Sequence, residues 1–434
     1  MEHESGVVVT GVGLAIPLGL SVPEIWQRSL RGESGIGPFR RFEPAGHRCR
    51  ASAEVPALDL SHSLRFPKNE KFASLAVRYA MHAAKVAVDS SGIDLARVDP
   101  YRVAMYTGSG QTGIDSPEFF PAFEVAQSGD EDQDYANLGG RASRTLDRYF
   151  SLRTLSNAGL GLLSVEFGAK GPSHNFVQDD TSSAVAIGSA LQDLVEGRSD
   201  VAIVGGYESL LTVPSYLAYD RAGVLSSTDA ERAYRPFDRD RDGIVLGEGA
   251  AFLVLERAAD ARSRCSPVLG EIVGVGSATE AADTLQTKVS DAALRRAIED
   301  ATRGQHVDFV VAHGIGTPEG DRAEARIIES TFGRSLPVTA FKSQTGYLGA
   351  ATSAVEVVLA LHAVRAGLVP PIARHEAPDD DSRLSFVSGA AHRLSADSPA
   401  ALCLAWSWFG HCTAIAVRAV REHSDHHAPA ARLP

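Results

Sequence analysis

The stretch from Gly171 to Gly188 restricts the fold of this chain more than any other. Gly171-Pro172 is a turn signal, Asn175-Phe176-Val177 is a short apolar run fit for a strand, and from Thr181 onward Ala184, Val185, Ile187, Ala190 and Leu191 recur at helical spacing. The pattern predicts strand, tight turn and helix. Such a geometry aims the residue at the turn into a cleft, over backbone N–H groups and the positive end of a helix dipole. That residue is Asp180. Further along, Ala351-Thr-Ser-Ala-Val355 echoes Thr181-Ser-Ser-Ala-Val185, and Gly270-Glu-Ile-Val-Gly-Val-Gly276 echoes Val7-Val-Val-Thr-Gly-Val-Gly13. Two similar βαβ-rich halves are therefore expected, over 1–260 and 261–421, joined through the polar linker Ala258 to Pro267. The remaining 422–434, with three His, two Pro and no periodicity, is expected to be a disordered tail.

Composition narrows the function classes. At 434 residues, 44% hydrophobic and 22% charged, the chain can bury a substantial core. It has no uninterrupted apolar run of membrane-spanning length and begins Met-Glu-His-Glu-Ser, so a soluble, cytoplasmic protein is expected. The net charge of −12 argues against nucleic acid or an anionic membrane as partner, since the phosphate contacts that dominate such binding need clustered Lys and Arg. Cys49, Cys265, Cys403 and Cys412 form no Cys-x-x-Cys pair and are expected to be reduced, mostly buried thiols. Neither a cofactor nor a metal site is expected. Gly11 and Gly13 begin a dinucleotide fingerprint that fails at Ile16, and the calcium-like loop Asp238 to Gly243 has Gly249 where a bidentate carboxylate is required.

Other segments read as follows. Val7 to Gly13 is a buried strand running into a glycine turn, Phe72 to Ser91 is an Ala-rich helix closed by Gly92, and Arg102 to Gly110 is a strand ending in a glycine turn. Gln111 to Phe123 is irregular yet carries Phe119, Phe120 and Phe123, which predicts a buried segment lining a cavity or an interface. Asp130 to Asp134 is expected to be solvated.

Several of these stretches together resemble the β-ketoacyl synthases. The family's nucleophile segment is Gly-Pro-Ser, variable residues, Ala, Cys, small residues and Ile-Gly. The run Pro236-Phe-Asp to Val-Leu-Glu256, the motif Val311-Ala-His-Gly-Ile-Gly-Thr-Pro-Glu-Gly-Asp-Arg-Ala-Glu324 and the segment Phe341-Lys-Ser-Gln-Thr-Gly-Tyr-Leu-Gly to Glu356 match three more of its signatures. The resemblance spans about residues 5 to 420 and implies an α/β fold of the thiolase type, duplicated halves in a layered α/β/α/β/α arrangement. In the family a Cys thiolate accepts an acyl chain and two His bind and activate a malonyl thioester. The alignment places Asp180 where that Cys belongs, His313 at the first His and Tyr347 at the second, with Lys342 and Glu356 retained as supporting residues. The C-terminal glycine loop is replaced by Trp406-Ser-Trp-Phe-Gly-His-Cys412, so Trp408 stands at the gate position, Phe409 replaces a glycine and Gly410 follows. This bulk predicts a closed, filled pocket.

With the nucleophile absent, Asp180 is expected to cap the following helix by accepting backbone N–H bonds. Ionised, it would also repel a malonyl carboxylate. The resemblance then narrows to the chain length factors, which lack the Cys, pair with a catalytic ketosynthase as a heterodimer and close the end of its acyl tunnel. It implies no catalytic residue on this chain, and a tunnel or interface role for Gln111, Thr112, Ile114, Phe119, Phe120, Phe123 and Phe176. The implied partners are a catalytic ketosynthase subunit and an acyl carrier protein docking mainly on that subunit. A stand-alone decarboxylase or acyltransferase using His313 and Tyr347, or a purely structural scaffold, is the alternative.

Overall fold

The computed structural model describes residues 6–42, 46–110, 116–127, 130–281, 288–379 and 382–420, with 116–119 and 131–132 described by backbone alone. Gln111, Thr112, Ile114 and the tail 422–434 lie outside the described residues, as does the side chain of Phe119.

Eleven strands make one mixed sheet: β1 (Val7–Ala15), β2 (Val103–Ser109), β3 (Ser173–Phe176), β4 (Val201–Ser209), β5 (Glu248–Arg257), β6 (Gly270–Thr279), β7 (Phe309–Val311), β8 (Pro337–Thr339), β9 (Ser385–Phe386), β10 (Ala400–Trp406) and β11 (His411–Arg418). Their order is 9-8-7-10-11-6-1-5-4-2-3. In the first half β3, β2 and β4 run parallel, then β5 and β1 follow antiparallel. In the second half β8, β7 and β10 run parallel, then β11 and β6 follow antiparallel. The halves are the same five-stranded unit used twice, and they meet where β1 pairs with β6, Val7 opposite Ile272.

The helices repeat in step: α1 (Leu75–Ser91), α2 (Ser116–Ala126), α3 (Glu131–Gly140), α4 (Ser182–Val195), α5 (Asp291–Thr302), α6 (Pro318–Phe332) and α7 (Thr352–Ala366). Helix α1 covers β1, β4 and β5 from outside, while α5 covers β6 and β11 with α6 behind it. Between the halves α4 and α7 pack against each other and against strands of both, which completes the α/β/α/β/α layering. Helix α7 with its preceding turn, Gly349–Ala366, is long and apolar enough to cross a membrane, yet 83% of it is buried inside the protein. It is the core helix of this central layer.

The glycines of the first strand prove to be strand residues rather than a turn. A Cβ on Gly13 would sit 2.0 Å from the Ala83 carbonyl oxygen of α1, and one on Gly276 would sit 1.9 Å from the Ala297 carbonyl oxygen of α5. Each half thus seats its outer helix directly on the strand backbone, which only Gly permits. Helix α1 begins at Leu75, not Phe72, because Pro67–Phe72 forms a separate 3₁₀ turn and Ser74 caps the helix by accepting from the Val77 N–H. Its C-cap is Gly92 at φ 65°, as the pattern predicted. The segment expected to be irregular and buried is largely α2, and Phe120 and Phe123 are exposed. Asp130 caps α3 through the Gln133 N–H. The loop resembling a calcium site is a latch: Asp238 accepts from the N–H groups of Asp240, Glu376 and Ala377, and Arg241 donates to the carbonyls of Thr317 and Pro318 and to Asp379. Cys49, Cys403 and Cys412 are buried and Cys265 is exposed, all four as free thiols.

Candidate functional site

The central helices supply the frame. Each begins just after a single 3₁₀ turn, Asp179–Thr181 before α4 and Gly349–Ala351 before α7, and the two turns touch. The repeated Ser/Thr-Ser-Ala-Val pattern is therefore the mark of two helix N-termini meeting at the seam between the halves. Cross-links fix them: Ser353 Oγ donates to the Asp180 carbonyl at 2.7 Å, and the Ala354 N–H donates to Ser183 Oγ at 3.1 Å. Asp179 sits at φ 56°, a left-handed conformation that Asp tolerates better than most residues.

Strand, turn and helix place Asp180 as expected, but its carboxyl does not cap α4. It is 1% exposed, and Oδ2 accepts from the Tyr347 hydroxyl at 2.5 Å while Oδ1 has no protein partner. Tyr347 Oη in turn accepts from the Trp408 indole Nε1 at 2.9 Å and lies 3.5 Å from Asp179 Oδ1. Burial, then the neighbouring Asp179, pushes the Asp180 carboxyl well above its ordinary range, against the pull of Lys342. Burial likewise lifts Asp179 to about 6 and the Tyr347 phenol well above its ordinary value. The expected cap is not made: no side chain caps α4, and the Asp180 carboxyl bonds the phenol instead, with burial opposing its charged form.

A second cluster adjoins the first. Lys342 Nζ donates to Glu356 Oε1 at 2.9 Å and to the His313 carbonyl at 2.6 Å, and stands 3.1 Å from His313 Nδ1. Lys is a donor only, so Nδ1 accepts and the ring hydrogen resides on Nε2, which is buried without a partner. Burial and then Lys342 hold His313 well below its ordinary value, leaving it neutral. Its backbone is pinned by Glu324, which accepts from the N–H groups of His313 and Gly314 at 2.7 and 2.9 Å. Burial raises Glu356 and Glu324 each to about 7.

The structure brings together Asp180, His313, Lys342, Tyr347, Glu356 and Trp408. Trp406, whose ring lies 4.8 Å from that of His313, and Trp408 occupy the space above the two clusters. Phe409 does not help to fill it; at 67% exposed it points into solvent from the hairpin tip, with Gly410 next to it. Phe176 is half-buried on the edge strand β3. Three participants carried no motif: Asp179; Glu208 at the end of β4, raised to about 8 by burial; and Tyr219, packed edge-on to Tyr347 at 5.7 Å. The two glycines before Tyr207-Glu208 were the nearest signal. Among the described residues no three His, Cys, Asp or Glu side chains converge as metal ligands would.

Residues 4–261 match the model of the β-ketoacyl synthase N-terminal domain, and residues 269–376 match that of its C-terminal domain. The chain belongs to the β-ketoacyl synthase family. A 3-oxoacyl-[acyl-carrier-protein] synthase 2 of Coxiella burnetii is 31% identical over 402 residues, 90% of this chain and 94% of the relative. A protein that carries the name of a polyketide β-ketoacyl synthase in Streptomyces cyaneus is 34% identical over 400 residues, 89% and 92% of the two chains. Among solved structures, the ishigamide ketosynthase/chain length factor superposes with a TM-score of 0.84 at 24% identity, covering 96% of this chain and 99% of that one. A type II polyketide synthase acyl-carrier protein in complex with its ketosynthase includes a chain that superposes at 0.80 with 24% identity, covering 96% and 99%. For a β-ketoacyl synthase the chemistry available here is narrow. The His313 Nε2–H can donate to a developing oxyanion, but the Tyr347 phenol, held protonated by burial, and the Asp180 carboxyl bonded to it are poor nucleophiles.

Proposed function

We propose that this chain is a non-catalytic, chain length factor-like subunit that pairs with a catalytic ketosynthase and shapes the acyl tunnel that sets polyketide chain length. The observation that carries the reading is the turn itself: it holds Asp180, bonded to Tyr347 and covered by Trp408, where an acyl-accepting thiol would have to stand. Cys403, the cysteine in the field of Glu356 and Lys342, is buried and its thiol is pushed well up by that burial, so it supplies no thiolate. Pairing is supported by β3, whose outer edge is unpaired among the described residues and whose Ser173 and His174 are exposed. An open edge of this kind is a template for another strand. Phe120, Phe123 and Val177 add exposed apolar surface that a partner would cover. The acyl carrier protein docks mainly on the catalytic partner, because carriers are acidic and this chain carries a net charge of −12.

Coexpression with a catalytic ketosynthase tests this. The expected result is a heterodimer by native mass and a shift in product length when Phe120 or Phe123 is replaced by Ala. Unchanged products from an intact complex across that series would overturn the tunnel role.

One observation favours a second reading, a stand-alone decarboxylase: the His313 Nε2–H is buried without a protein partner, in a site where burial also disfavours the charged form of Asp180. Turnover of malonyl carrier protein by the purified chain, lost in His313→Ala, would establish it.

A further inference from the structure

We propose that Asp179, Asp180 and Tyr347 form a proton-operated latch on the hairpin tip Ser407–Gly410, shut while the two carboxyls hold at least one proton between them and released when both ionise. This goes beyond the subunit role and does not depend on it.

The first argument is a count of hydrogens. Tyr347 Oη has one hydrogen and two lone pairs. The hydrogen goes to Asp180 Oδ2 at 2.5 Å, and the Trp408 Nε1–H fills one lone pair at 2.9 Å. Asp179 Oδ1, 3.5 Å away, can join Tyr347 by supplying a hydrogen of its own. Asp179 Oδ2 and Asp180 Oδ1 are buried without partners. With both carboxyls ionised, four carboxylate oxygens face two hydrogens, that of the Tyr347 hydroxyl and the Trp408 backbone N–H that reaches Asp179. One added proton closes the network, and a second removes the remaining charge.

The second argument is the surrounding charge. The groups facing the pair are Glu208 from β4, Tyr219 from the helix Val213–Arg221, Tyr234, Lys342, Tyr347, and Glu356 from α7. Beyond Lys342 stand His313 and, from β10, Cys403. Lys342 is the one cation in this set, and it is committed to Glu356 and His313. Besides the Trp408 backbone N–H at Asp179 and the pull of Lys342 on Asp180, a second negative charge on the pair has only water to stabilise it. The raised proton affinities of Asp179 and Glu208, to about 6 and about 8, agree with that geometry.

The third argument is what can move. Trp408 turns inward from a hairpin tip held by the Ser407 N–H to the His411 carbonyl at 2.8 Å, the Gly410 N–H to the Ser407 carbonyl at 3.1 Å, the Glu280 N–H to the Gly410 carbonyl at 2.9 Å, and the Ser407 hydroxyl to two local N–H groups. Trp408 itself packs edge-on to Trp406 at 6.2 Å and donates its backbone N–H to Asp179. Gly410 at φ 80° ends the turn, and Phe409 is already in solvent. Withdrawing Trp408 admits water to both carboxyls without disturbing either sheet half. His411 and Glu280 flank the tip, with His411 Nδ1 3.0 Å from Thr279 Oγ1.

The test is acrylamide quenching of tryptophan fluorescence on the full chain from about pH 5 to about pH 9, with far-UV circular dichroism recorded alongside. Trp408→Phe identifies the component that belongs to Trp408. The expected result is a reversible, severalfold rise in quenching of that component with unchanged secondary structure, and a flat profile in the Asp179→Asn/Asp180→Asn variant, whose amides hold no titratable proton. Should that variant fail to fold, Tyr347→Phe replaces it, with high quenching expected at every pH. Quenching independent of pH in the parent protein, an undiminished rise in the amide variant, a parent-like profile in Tyr347→Phe, or loss of the rise in His411→Gln would each overturn the proposal.

Discussion

Tyr347 gives its one hydroxyl hydrogen to Asp180 across the seam between the two halves, so the turn that opens α4 is tied to the segment that precedes α7. The same oxygen receives the Trp408 indole hydrogen. Tyr347→Phe keeps the ring against Tyr219 but strands Trp408 Nε1 and Asp180 Oδ2 in a dry site. Leaving buried polar groups unpaired costs about 1–3 kcal/mol, read as a lower denaturant midpoint with an unchanged slope. A variant as stable as the parent would show that water already serves these atoms.

Lys342 holds the other cluster together, and its removal leaves Glu356 buried opposite nothing. Lys342→Met is expected to destabilise by about 3–5 kcal/mol, because an uncompensated buried charge is worse than no pair at all. Adding Glu356→Gln should recover much of that loss. Equal stability of the single and double variants in chemical denaturation would mean that the two residues are not coupled.

The buried carboxyls also set a pH dependence. Burial raises Asp179 to about 6, Glu356 to about 7 and Glu208 to about 8, so the folded chain holds protons that the unfolded chain has released, and stability falls as pH rises through those values. Buried histidines act oppositely but lower down: His362, depressed to about 4, favours folding more as pH climbs toward the ordinary His value and adds nothing above it. Above about pH 6.5 the carboxyls act unopposed by these histidines. Melting temperature should therefore decline between about pH 6.5 and about pH 8.5, and Glu208→Gln should flatten part of the decline. A melting temperature that rises across this window would contradict the assignment.

Asp180, His313 and Lys342 could be placed from sequence because turn signals and long motifs surround each of them, and chemistry follows position there. Residues that reach the site through folding alone left no such mark. Glu208 arrives because β4 ends beside the turn, and Tyr219 because its helix packs on Tyr347. The adjacent bulky residues Trp408 and Phe409 looked alike as fillers, yet a tight hairpin turn sends one inward and the other out. A helix-capping role for Asp180 failed for a related reason: propensity speaks of exposed helix ends, and this one is buried against a phenol. The glycines of β1 read as a turn in sequence because the pattern of one strand cannot show the helix lying on it.

Those glycines make a direct prediction. Gly13→Ala drives a methyl group into the Ala83 carbonyl, and backbone must shift because the two nearest atoms, the Ala83 oxygen and the Ala87 nitrogen, are both backbone. Overpacking of this kind costs about 1–3 kcal/mol. Gly276→Ala meets the Ala297 carbonyl in the duplicated half and should cost a similar amount, whereas Gly139, with open space around it, should accept Ala with little change. Comparable melting temperatures for all three would refute the close seating of α1 and α5.

Asp180→Cys is the most direct challenge to the proposed role, since it restores the residue that the family resemblance places at this turn. The new thiol would stand next to Asp179, beneath Trp408 and against Tyr347, with the depressed His313 and a committed Lys342 as its nearest bases and cations. Burial and a neighbouring acid both oppose thiolate formation, and thiolate is the nucleophilic form. Tyr347 can donate a hydrogen bond to a malonyl carbonyl, but its phenol, held protonated by burial, cannot exchange a proton near pH 7 as an imidazole does. The expected outcome is neither stable acylation by mass spectrometry nor condensation, with or without a partner subunit. Condensation by the single variant acting alone would mean that the pocket is still a working ketosynthase site lacking one atom, and the non-catalytic assignment would fall.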